Sequence, residues 1–85
     1  MHTWTKEDDL MVLFAYKFGF DKCPLTKQQM AERIGTSVGS VGYRVSNFAS
    51  LEGEGHADHA ALLTKAVFQE YGRIPMEKLK AIAFG

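Results

Sequence analysis

Thr26 to Phe48, TKQQMAERIGTSVGSVGYRVSNF, reads as two short helices joined by a glycine turn, and this reading decides the fold. Thr26 stands where an N-cap hydroxyl accepts from the amide three residues on. Gln29 stands where a capping box returns the bond. Gly35 supplies the left-handed residue that ends the first of these helices, and Thr36 or Ser37 caps the second. On that second helix Val38, Val41, Val45 and Phe48 recur at helical spacing and predict one buried stripe. Ser40, Tyr43 and Asn47 then face outward, with Arg44 at their flank. A hydroxyl, a phenol, an amide and a guanidinium on one helix are the groups that hydrogen-bond base edges and phosphates.

Two glycines interrupt this helix, and each costs about 1 kcal/mol relative to alanine in a helix interior. Gly42 falls on the expected buried side, where the missing side chain lets a neighbour approach. Gly39 falls outward, where bare backbone can approach a phosphate or a base.

Upstream, Thr5 is the expected cap of a first helix that stops near Gly19. Glu7, Asp8 and Asp9 complement the positive end of its dipole. Met11, Phe14, Ala15 and Phe18 form its inward stripe, widened by Leu10 and Leu13, with Trp4 beneath. Phe20 to Leu25 reads as a loop, because Pro24 disfavours helical geometry in the residue before it. In the next helix Met30, Ala31 and Ile34 point inward. Downstream of Phe48, Ala49 to Asp58 has two glycines, three acids and no sustained period, and reads as a loop. Thr64 is the expected cap of a fourth helix with Val67, Phe68 and Tyr71 inward. Pro75 opens a last helix with Leu79, Ile82 and Ala83 inward.

The expected fold class is all-α, a small bundle of five helices containing a tri-helical helix-turn-helix core. Its parts are the core at 4–50, an acidic glycine-containing loop at 51–63 and a C-terminal helical pair at 64–85, all within one domain of 85 residues.

Composition narrows the function classes. An apolar share of 46% and an aromatic share of 12% suit a globular chain that folds without a partner. The single cysteine, Cys23, forms no intramolecular disulfide and is too few thiolates for structural zinc, which fits a reducing cytoplasm. Leu10 to Tyr16, the longest apolar run, is far short of the roughly 20 residues that span a bilayer, so no membrane role is expected. Ten basic residues balance ten acidic ones, yet from Lys22 to Phe48 Lys22, Lys27, Arg33 and Arg44 stand against Glu32 alone, a local +3. With so few cations, duplex binding should be weak and shallow in its salt dependence, or shared with a second copy.

At Trp4 to Asp9 the run WTKEDD, followed by an apolar helix reaching Tyr16, Phe18 and Gly19, resembles the opening of Myb and SANT repeats, with RVSN at Arg44 to Asn47 continuing the likeness. From Met30 to Leu51, MAERIGTSVGSVGYRVSNFASL more closely resembles the helical domain that precedes the nuclease module in some bacterial HNH endonucleases. Its most specific part is SNFASLEG, from Ser46 to Gly53. The likeness spans roughly residues 4 to 71 and implies a DNA-associated helix-turn-helix domain; the chain ends before a nuclease module.

The expected function is therefore DNA binding without catalysis, in transcriptional regulation or another DNA transaction, with the helix at 38–48 in the major groove of double-stranded DNA. Ser37, Ser40, Tyr43, Arg44 and Asn47 are the expected base contacts, and Lys22, Lys27, Arg33 and Thr36 the backbone contacts. Arg44 has an alternative role, pairing with a carboxylate such as Glu32. The competing reading is a SANT-like protein-interaction module, which zero net charge favours. A homodimer that spans successive grooves is compatible with either, and Phe84, close to the carboxyl end, docks on the core or on a second protomer. No cofactor is called for. His56, Asp58 and His59 have a superficial metal-site spacing but lack four convergent ligands, and Cys23 has no neighbouring base to activate it.

Overall fold

Every residue from Asp9 to Ala15 in the first helix is buried, and the arrangement of the other helices follows from enclosing it. The computed structural model describes residues 2–52 and 61–85. Among these are five α-helices and no strand: α1 (Lys6–Phe18), α2 (Lys27–Ile34), α3 (Val38–Glu52), α4 (Leu62–Tyr71) and α5 (Met76–Phe84), with a short 3₁₀ turn at Phe20–Lys22. The spacing of apolar residues predicts one broad face on α1. The structure instead packs α3, α4 and α5 around it, so that Val12 is as inaccessible as Leu13 and Phe14. A helix apolar on all sides is stable only when surrounded in this way.

The local signals at the helix ends act as their chemistry requires. Thr5 accepts from the Asp8 amide at 3.2 Å while the Asp8 carboxylate accepts from the Thr5 amide at 3.1 Å. Thr26 and Gln29 form the same reciprocal pair at 3.1 and 2.9 Å. Both helices end on a glycine with positive φ, Gly19 at 90° and Gly35 at 92°, where a side chain would be strained.

Three boundaries or faces differ from the sequence pattern. Helix α3 continues past Phe48 to Glu52, because Leu51 packs against the core and the Tyr16 hydroxyl donates to the Glu52 carboxylate at 2.8 Å. Helix α4 starts at Leu62, so Thr64 is no cap; it sits buried inside the first turn. Ile82 is exposed rather than inward, since Leu79 fills the core and Phe84 sets the face of α5 by meeting Phe14 edge-on at 5.5 Å. Most of the expected acidic loop, including His56, Asp58 and His59, lies outside the described residues.

The Tyr16 to Glu52 bond carries a pH signature. Burial foremost, then the hydrogen bond and charge of Glu52, push the Tyr16 phenol up to about 12. A raised acid of this kind favours the folded state fully below the ordinary value near 10, and that contribution is lost as pH rises from there through about 12. In a phenolate absorbance titration, one tyrosine is expected to ionise late, and Glu52→Gln should bring it back toward the ordinary value.

Candidate nucleic-acid interface

The connection between α2 and α3 is built from backbone geometry. The amides of Gly35 and Thr36 both donate to the Ala31 carbonyl at 2.9 Å, closing α2. Ser37 is the cap of α3: its hydroxyl accepts from the Ser40 amide at 3.0 Å and lies 3.1 Å from the Ser40 hydroxyl. Thr36 is left half-buried in the turn.

Helix α3 is rolled about its axis relative to the sequence pattern. Its buried residues are Val41, Arg44, Asn47 and Phe48, while Val38 and Val45 are half-buried at the edge. At about 100° per residue, the inward direction moves by roughly 70° from the expected valine stripe toward Arg44. The expected base contacts therefore separate into two groups. Tyr43 is 66% exposed, Ser37 is exposed and Ser40 is half-buried. Arg44 and Asn47, only 8% and 6% exposed, turn into the bundle and cannot reach a groove.

The cause of the roll is on α1. Asp9 is 0% exposed, and a carboxylate in that position is tolerated only if its charge and lone pairs are met. Arg44 meets both oxygens, with Nε 2.7 Å from Oδ1 and Nη2 2.9 Å from Oδ2. Thr64 of α4 donates its hydroxyl to Oδ2 at 3.1 Å, and the Trp4 ring covers the guanidinium with its centroid 4.5 Å away. One carboxylate thus fastens α1, α3 and α4 together. Arg44 pairs with Asp9 and not with Glu32, whose side chain accepts from Gln28. Asp9 is a core group, not one of the surface charges that complement the dipole.

What the roll leaves outward is Gly39, Tyr43, Ser46 and Ala49, with Gly42 at the margin. A Cβ at Gly39 would meet nothing closer than the Ser37 hydroxyl at 3.8 Å, so that surface is bare. Gly42 admits a particular neighbour: a Cβ there would sit 3.0 Å from the Lys27 Nζ, which lies along α3 with the Phe20 ring centroid 6.0 Å away. The missing side chain therefore places an ammonium beside the outward face. Lys22 and Arg33 are exposed and make no ion pair among the described residues. With Arg44 neutralised by Asp9, Lys22 to Phe48 presents three cations against Glu32, a local +2.

Sequence reasoning missed Asp9, Thr64, Ser46 and the margin role of Gly42. The signal for Asp9 was an acid directly followed by six consecutive residues that are buried on every side of a helix.

Other chemistry is spoken for locally. A cleft of about 850 Å³ near the ends of α1, α3 and α4, lined also by Gln69 and Arg73, pairs Tyr16 with Glu52 and the Lys17 ammonium with the Gly72 carbonyl. Burial, then the charge of Asp21, pushes the Cys23 thiol up to about 11, away from nucleophilic thiolate. No group of three or more metal-ligating side chains occurs among the described residues, and no helix is long and apolar enough to cross a membrane. Comparison with protein-family models, with curated proteins and with solved structures finds no match to this chain.

Proposed function

We propose that this chain is a cytoplasmic DNA-binding helix-turn-helix protein, acting in transcription or as an accessory factor in another DNA transaction, with α3 in the major groove. The observation that carries this reading is the outward face of α3: it holds no acid from Thr36 to Leu51, presents Tyr43 to solvent and has the Lys27 ammonium alongside. B-form DNA has a major groove wide enough for one helix, and a slim helix face enters it deepest. Tyr43 faces the bases in this reading, with Ser37, Ser40 and Ser46 beside it; Lys22, Lys27, Arg33 and Thr36 hold phosphates. The likeness of Met30 to Leu51 to the helical domain of HNH endonucleases supports the same partner. The polar groups available suit binding and not catalysis.

A SANT-like protein-interaction module is the second reading. Gly39, Gly42 and Ala49 make the outward face smooth enough for the close approach of a partner helix.

Titration of a random duplex by fluorescence anisotropy at several salt concentrations separates the two. Two or three phosphate contacts predict micromolar or weaker binding and a log–log salt slope of about −2 to −3. Lys27→Gln should weaken every sequence alike and reduce the slope by about 1. Absence of binding at low salt would reject the DNA reading in favour of a protein partner.

A further inference from the structure

Resting on the DNA reading, we propose that Tyr43 alone determines base preference, and that the protein therefore reads only one or two adjacent base pairs. The argument is one of elimination on the outward face. Arg44, the longest polar side chain of α3, is buried with its Nε and Nη2 committed to Asp9, and Asn47 is enclosed. The serines are short and turned to their own helix: Ser46 donates to the Tyr43 carbonyl at 2.7 Å, Ser50 to the Asn47 carbonyl at 2.7 Å, and Ser37 engages Ser40 at 3.1 Å. Gly39, Gly42 and Ala49 carry nothing that can hydrogen-bond a base edge.

Tyr43 remains. It is 66% exposed, and its hydroxyl has no hydrogen-bond partner among the described residues. A helical side chain leans over the turn before it, and one turn before Tyr43 stands Gly39, whose surface is open. The ring thus has a clear path along the helix toward its N-terminal end. It offers an apolar face suited to a thymine methyl and one hydroxyl suited to a base-edge donor or acceptor, enough for a single base pair and its neighbour. The cations around it supply affinity without sequence information.

The test is enrichment from a random duplex pool at low salt with the wild type, Tyr43→Ala and Tyr43→Phe, each first shown to have the wild-type thermal midpoint. The wild type is expected to enrich one or two adjacent positions, with a preference of about tenfold. Tyr43→Ala should retain pool DNA with an unchanged salt slope but enrich no position, and Tyr43→Phe should keep the motif in weakened form. A Tyr43→Ala pool carrying the wild-type motif, or a wild-type motif spread over a full helical turn, would overturn the assignment while leaving DNA binding intact. A wild type that retains no pool DNA would instead remove the DNA reading on which the assignment rests.

Discussion

Asp9→Ala is expected to destabilise the fold by about 3–5 kcal/mol, the cost of leaving a buried cation without its counter-charge. A chain of this size has about 4–13 kcal/mol of stability in all, so the loss is a large fraction of the total. The magnitude follows from what the carboxylate does. Removing it strands the Arg44 guanidinium at 8% exposure and leaves the Thr64 hydroxyl without its acceptor. The Trp4 ring still faces the cation, but that contact is already present in the wild type and does not replace the lost counter-charge. The control is to remove both charges together. Asp9→Leu with Arg44→Met, and Thr64→Val to remove the stranded hydroxyl, replaces the network by apolar volume and should be neutral or stabilising by about 1–4 kcal/mol. Urea unfolding followed by circular dichroism measures both. A single-variant loss below about 1 kcal/mol would mean that Arg44 swings out to water, so that the network does not fix the roll of α3.

That roll marks the boundary between what was legible in the residues and what was not. The end signals are local, and Thr5, Thr26, Gln29, Gly19 and Gly35 specify their turns through bonds that span only three or four residues. These were readable because nothing distant competes with them. The roll of α3 is not local. Four apolar residues at helical spacing pointed inward, but Val38 and Val45 yield part of their burial so that Arg44 can reach a carboxylate 35 residues away. A hydrophobic pattern ranks faces by transfer free energy, about 1.5–3 kcal/mol for a valine or phenylalanine side chain. An unpaired buried carboxylate outweighs such a difference, so Asp9 decides the orientation. The same long-range term explains Thr64, whose hydroxyl looked like a cap until a partner 55 residues away claimed it. Of the expected base contacts, Tyr43 stays outside because it is turned about 100° round the axis from Arg44, whereas Ser37 and Ser40 share Arg44's side and keep their exposure by lying at the capped N-terminal end of α3.

Phe48→Ala tests the other half of α3, the part that anchors it by packing alone. Phe48 is fully buried between two rings, stacked on Tyr16 with centroids 6.1 Å apart and an interplanar angle of 19°, and tilted against Phe68 at 6.4 Å. Its truncation should cost about 3–5 kcal/mol, since the loss of transfer free energy is joined by a cavity that two flanking helices cannot collapse. For a domain of this size that shifts the melting midpoint down by about 15 °C or more. The urea midpoint should fall with the slope unchanged. Two further readouts separate a local cavity from general loosening. The outward face of α3 does not include Phe48, so duplex binding measured well below the new midpoint should match the wild type. Tyr16, however, owes its raised phenol first to burial, and the Phe48 ring is part of what buries it. Its titration should therefore move down from about 12 in the variant, even with the Glu52 bond in place. A variant that loses several kcal/mol while Tyr16 still ionises as late as in the wild type would show that another group, and not the stacked ring, keeps water from the phenol.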